Sequence, residues 1–155
     1  MGGDFPHRWG QTREHILAMK RLWTEEEAEF HGRFVDFPAV RCSPKPVQDP
    51  HPPVYLGGFA ANVFKRVVEW GDGWMPVRVN EEQVRQGRAT LDELAETAGR
   101  DPRSIRLMVC NVPADADLIG RLESAGADRV TVALPTDAAD ESLGEMEKLA
   151  AAVIG

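Results

Sequence analysis

Apolar residues along the chain follow two rhythms. Between residues 11 and 26 they recur at Ile16, Met19 and Trp23, with Leu22 alongside. That three-to-four spacing predicts an amphipathic helix. After residue 53 they come as short runs, 54–56, 73–77, 105–111 and 129–134, mostly apolar and without alternation. Such runs suit strands buried on both faces, as in a parallel sheet. The segments between and after these runs return to helical spacing. Residues 62–70 place Val63, Phe64, Val67 and Val68 on one face, and 81–98 place Val84, Leu91, Leu94, Ala95 and Ala98 on one face. Residues 115–125 carry Leu118, Ile119 and Leu122, and 140–153 carry Leu143, Met146, Ala150 and Val153. Gly99 and Gly126 stop two of these helices, with Pro102 just beyond the first.

The stretch 27–53 has no long period of either kind. Residues 30–37 read as a short hairpin-like or extended excursion. Pro44, Pro46, Pro50, Pro52 and Pro53 then make a stiff approach, because proline and the residue before it avoid helix. The expected organisation is one α/β domain, 1–155, with a first helix (11–26), a Pro-rich excursion (27–53) and four βα units (54–155). Alternation of this kind implies parallel strands with right-handed crossovers. An open doubly wound sheet and part of a (β/α)8 barrel both fit. A complete barrel needs about 200 residues or more, and the chain has 155.

Composition narrows the setting. The chain is 43% apolar and 28% charged, ordinary for a soluble globular protein. No apolar run approaches a membrane span, and the first residues lack a signal-peptide layout, so a cytoplasmic protein is expected. A net charge of −7 with no basic cluster argues against nucleic acid and anionic membrane as partners. Cys42 and Cys110 are far apart and without a CxxC partner, and the histidines lack metal spacing; neither a disulfide framework nor a metal site is expected. Cys110 reads as a small buried residue.

Candidate chemistry concentrates where strands end. Gly57-Gly58 follows the first run of the βα region. The pair serves either a tight turn or an anion site formed by backbone N–H groups ahead of a helix. Asp72-Gly73-Trp74 opens the next strand; there Asp72 is read as bonding nearby backbone N–H groups and Trp74 as core. Arg78, Asn80 and Asn111 fall at C-terminal ends of strands, where ligands are met in such sheets. Thr136 reads as a helix cap or loop residue, and His15 as structural. No nucleophile–base–acid set can be assembled.

Taken in order, Leu22-Trp23, Lys45-Pro46-Val47-Gln48, His51-Pro52-Pro53, Gly57-Gly58 and Asp72-Gly73-Trp74 resemble the luciferase-like monooxygenase superfamily, in particular its branch using the deazaflavin coenzyme F-420. The resemblance covers nearly the whole chain and implies the C-terminal half of a (β/α)8 TIM barrel. The first helix then follows strand four, run 54–56 is strand five, and the four strands run in sequential order with helices on the outer face. The family's activity implies a flavin- or F-420-dependent oxidoreductase or monooxygenase, with coenzyme F-420 or FMN as cofactor. Gly57 and Gly58 match the pair whose backbone approaches the cofactor phosphate, and Arg78 falls in a loop where relatives often contact it. Relatives often follow the pair with a small hydroxyl residue; here Phe59, Ala60 and Ala61 follow. The ring pocket and most substrate contacts belong to the other half, so the chain alone is expected to hold an incomplete active site. A half-barrel exposes two sheet edges and an apolar face. Its expected partner is a second copy, making a homodimer, or a missing N-terminal half-barrel. The alternative is a non-catalytic binding or assembly module on the same fold.

Overall fold

The structure is a computed structural model that describes residues 5–134 and 139–154. Thr136 lies outside them. The chain divides into two compact units, Met1–Pro53 and Val54–Gly155.

In the first unit, α1 spans Arg8–Thr24, close to the expected 11–26. The excursion after it is a true antiparallel hairpin of β1 (Ala28–His31) and β2 (Asp36–Val40). Glu14, on α1, organises its turn. The carboxylate accepts the N–H groups of Phe34 at 2.6 Å and Val35 at 3.1 Å. Gly32 is required there, because a Cβ would collide with the Glu14 carboxylate and the Phe30 ring. Lys45 closes the other end of α1, donating to the carbonyls of Leu22 at 2.7 Å and Glu25 at 2.6 Å. A cation there answers both the orphan carbonyls and the negative end of the helix dipole.

The second unit is a four-stranded parallel sheet. Its strands β3 (Tyr55–Gly57), β4 (Gly73–Met75), β5 (Arg106–Val112) and β6 (Arg129–Val132) lie in sequential order. The helices are α2 (Val63–Trp70), α3 (Glu81–Thr97), α4 (Ala116–Ser124) and α5 (Ala139–Ile154), each packed on the next. Sequential order is the barrel expectation; a doubly wound sheet would reverse direction at its centre.

The two faces of this sheet differ. Leu56, Trp74, Pro76, Leu107 and Val109 point to one side and are buried. Val63, Val67, Val84, Leu91, Ile119 and Leu122, from three of the helices, complete that core. The opposite face carries Tyr55, Met75, Val77, Arg106, Met108, Cys110 and Arg129, none of them buried. Burial therefore alternates along β5, which corrects the expectation of strands buried on both faces. The apolar runs misled because the open face is itself rich in Met, Val and Cys. Cys110 is half-buried rather than buried, since it sits on that face. On α5, Leu143 and Met146 are also about half exposed.

The N-terminal ends of the strands are tied by one device used twice. Asp72 accepts the Val54 N–H at 2.7 Å while its own N–H goes to the Val54 carbonyl. Asp128 accepts the Leu107 N–H at 2.7 Å and returns its N–H to the Leu107 carbonyl. Helix ends are closed as deliberately. Arg100 donates from one nitrogen to the carbonyls of Val68 and Gly71 and shares the Val67 carbonyl with the Gly71 N–H, closing the end of α2. Gly99 at φ +70 and Gly126 at φ +111 end α3 and α4, as expected.

The hairpin's ionisable groups set a pH window. Backbone N–H donors, that of Phe34 foremost, hold the Glu14 carboxyl below its ordinary 4.5. Its contribution is complete above that value and lost as pH falls through the lowered one. The Asp36 carboxylate, 2.7 Å from His31 Nδ1, raises the imidazole above its ordinary 6.5. That contribution is complete below 6.5 and lost as pH rises through the raised value. Thermal unfolding is expected to show both contributions in full between pH 4.5 and 6.5. Glu14→Gln should flatten the acid limb and Asp36→Asn the alkaline one. Limbs that persist in the variants would show that other groups set them.

Candidate functional site

Parallel strands bring their C-terminal ends to one edge, and three left-handed residues gather there. Gly58 has φ +85, Arg78 φ +56 and Asn111 φ +61. They follow β3, follow β4 and lie near the end of β5. Non-glycine residues adopt this conformation at a cost of order 1 kcal/mol or more. Gly58 and Arg78 turn the chain beyond their strands, and Asn111 sits in an irregularity of the β5–β6 pairing between Val109 and Val112. Gly57 lies at the end of β3, where a Cβ would stand 3.4 Å from the Met75 carbonyl. A Cβ on Gly58 would meet nothing within 4 Å. Glycine is needed at 58 for its backbone angle, and the space beside it is open.

Trp74 fixes this turn from below. Its indole N–H donates to the Gly58 carbonyl at 3.0 Å. The ring is 1% exposed and lies edge-on to Phe64 at 4.8 Å and to Phe59 at 5.7 Å between centroids. On the helix side it presses on Gly87, where a Cβ would collide with the ring. Trp74 is core, as its sequence position suggests, but it is also the anchor of the glycine turn. The indole donor was the missed signal: a buried tryptophan N–H needs an acceptor.

The helix that follows differs from its neighbours. Asn80 caps α3 by accepting the Gln83 N–H at 2.9 Å, in a full capping box. Asp115 caps α4 by accepting the Leu118 N–H at 3.0 Å. At α2 the cap residue Asn62 makes no such bond. The Val63 N–H is taken by the Ala60 carbonyl at 2.8 Å, which leaves the N–H groups of Phe64 and Lys65 without a side-chain cap at this start. Such a start accepts an anion.

The structure thus brings Gly57, Gly58, Arg78 and Asn111 to one end of the sheet. Arg78 is exposed. Asn80 is a helix cap rather than a ligand group, and Asp72 sits at the opposite end, as expected. His15 is exposed on α1, with Nδ1 2.7 Å from the Gln11 carbonyl, a local bond in keeping with a structural role. Among the described residues no group of three or more His, Cys, Asp or Glu could hold a metal ion. No described helix is long and apolar enough to cross a membrane.

A family model for luciferase-like monooxygenases matches residues 1–133. An uncharacterized protein of Mycobacterium tuberculosis is 35% identical over 142 residues, covering 90% of this chain and 49% of that protein. The FMNH(2)-dependent dimethylsulfone monooxygenase of Pseudomonas putida is 30% identical over 109 residues, covering 68% of this chain and 28% of that enzyme. The chain therefore spans about half of the first relative and less of the second. Among solved structures, an F420-dependent secondary alcohol dehydrogenase superposes with TM-score 0.72 at 16% identity, over 99% of this chain and 64% of that one. The coenzyme F420-dependent tetrahydromethanopterin reductase of Methanopyrus kandleri gives 0.70 at 15% identity, over 92% and 62%. These likenesses establish the fold.

Trp74→Phe removes the indole donor and keeps a ring. It is expected to cost about 0.5–1.5 kcal/mol, since the freed Gly58 carbonyl can turn to water. Hydrogen exchange should accelerate at residues 58–61 far more than in α3. Uniform acceleration would mean that Trp74 acts only as core. Gly87→Ala tests the packing side, with an expected loss of about 1–3 kcal/mol from overpacking, read from denaturant unfolding.

Proposed function

The chain belongs to the luciferase-like monooxygenase family, and on that premise we propose that it forms the C-terminal half of a flavin- or deazaflavin-dependent oxidoreductase site. The observation that carries this reading is the uncapped start of α2 beside Gly58. Backbone N–H groups there would take the cofactor phosphate. Arg78, at the same edge, would add a guanidinium. With Phe59, Ala60 and Ala61 after the glycine pair, the backbone supplies the donors that a hydroxyl would otherwise share. The FMNH(2)-dependent relative and the F420-dependent neighbours support either coenzyme F-420 or FMN. When bound, such a cofactor supplies the redox chemistry; the residues of this chain hold and orient its phosphate end. The ring pocket and substrate contacts belong, on this reading, to a second barrel half seated against the open face of the sheet.

Roughly three charge-assisted bonds of about 1.5 kcal/mol each give about 4.5 kcal/mol, an affinity of about half a millimolar. Fluorescence titration of the chain with FMN or coenzyme F-420 is expected to show binding of that order. Gly58→Val, which forces a β-branched residue to φ +85, should weaken it at least fivefold with the circular dichroism unchanged. Sub-micromolar binding at one site per chain would overturn the half-site. Equal behaviour of wild type and variant would overturn the phosphate role.

A further inference from the structure

Along β5 burial alternates until it meets Asn111. Leu107 and Val109 are buried, while Arg106, Met108 and Cys110 are not. Simple alternation would put Asn111 on the buried side and Val112 on the open one. The reverse is seen: Asn111 is exposed and Val112 is buried. The cause is one extra residue. Between the pairs Val109–Val130 and Val112–Val132, Cys110 and Asn111 together face Thr131 alone. This is a β-bulge, uncommon between parallel strands, and a bulge can re-aim the side chain it carries. Here it lifts a carboxamide out of the core layer, and the Asn111 N–H donates to the Thr131 hydroxyl at 3.3 Å. On the other side of β5, Cys110 keeps its pairing with Val77, and its N–H donates to the Pro76 carbonyl at 2.9 Å. Arg78 and Asn111 are therefore the next residues on neighbouring chains. Both are left-handed, at φ +56 and φ +61, and both are exposed. Among the described residues neither side chain has a hydrogen-bond or ion-pair partner.

Glycine would adopt these angles without strain. Instead two polar side chains stand there with free ends, their backbones one strand spacing of about 4.8 Å apart. A guanidinium offers donors only and suits a phosphate. A carboxamide both donates and accepts, as a hydroxyl does. The spacing is comparable to that between a phosphate and a hydroxyl on the second carbon of its ester. We propose that Arg78 and Asn111 act as a pair, Arg78 on the phosphate and Asn111 on that hydroxyl, so that this edge selects a phosphorylated polyol over a plain phosphate ester. The inference rests on the reading above that a phosphate lies at this edge. It adds what the ligand carries beside the phosphate, and it gives Asn111 a binding role. The ribityl phosphate chain common to FMN and coenzyme F-420 meets that requirement.

Amide NMR shifts of the full chain, titrated with glycerol 3-phosphate and with propyl phosphate, test the pair. The two esters share a charge and differ in their hydroxyls. Wild type is expected to bind glycerol 3-phosphate about threefold or more tighter than propyl phosphate, the effect of one hydrogen bond. Asn111→Gly should bind both esters as weakly as wild type binds propyl phosphate, with a melting temperature level with wild type or above it. Asn111→Asp keeps the side chain's shape and guards against a loss of fold in the glycine variant. Its carboxylate beside the phosphate should weaken both esters about threefold or more, and unchanged binding would overturn the pair. A wild type without preference would do the same, as would a preference that survives Asn111→Gly. Gly58→Val separates this inference from the reading beneath it. If that variant weakens both esters while wild type shows no preference, the phosphate reading stands and the role of Asn111 falls. No shift at residues 57–65 with either ester would overturn the phosphate reading, and the inference with it.

Discussion

The Trp74 side chain is the contact on which the rest of the second unit depends. One residue fills the space between β4 and the helices, demands glycine at position 87, and spends its polar atom on the Gly58 carbonyl. Its two edge-to-face neighbours contribute about 0.5–1.5 kcal/mol each beyond their burial. Because Phe59 comes from the turn and Phe64 from α2, packing and turn geometry are coupled. The core cannot loosen without releasing the glycine turn, and the turn cannot shift without exposing the core.

The opposite end of the sheet is held differently. Asp72 and Asp128 each exchange two hydrogen bonds with the residue that enters the neighbouring strand. A carboxylate accepting a backbone N–H makes a stronger bond than a neutral pair. These aspartates fix register where the strands begin, so the strands end in register at the C-terminal edge. The division of labour suits a (β/α)8 architecture, whose stability resides at one end and whose chemistry resides at the other.

Much of this was legible in the residues. Helical spacing located all five helices to within three residues at either end, and Gly99 and Gly126 marked real stops. Asp72 reads as a backbone acceptor at a strand start and Trp74 as core, and both are so; the bond from the Trp74 indole to Gly58 is not foreseen by that reading. Two matters were less legible for physical reasons. Apolar runs suggest burial without saying what does the burying, so an open face reads like a covered one. Met75, Met108 and Cys110 illustrate this. The left-handed angles of Arg78 and Asn111 left no compositional trace, because neither is glycine. Such angles are imposed by the strand geometry on either side, and only the folded backbone displays them. The uncapped start of α2 was equally hidden, since Asn62 is a good capping residue by type and simply does not bond there.

The contrast between the two ends of the sheet also bears on how such a chain can diverge. A change at Asp72, Asp128, Trp74 or Gly87 is felt by every strand or helix it touches, and so by folding. The side chains at positions 78 and 111 are exposed, and their strain is already present. Replacing them changes the chemistry of that edge while leaving the helix layer untouched. Selection for foldability is therefore strict for the core and the N-terminal rim, and permissive for the exposed side chains of the C-terminal rim. Those exposed positions can change by single substitutions, without a compensating change in the core.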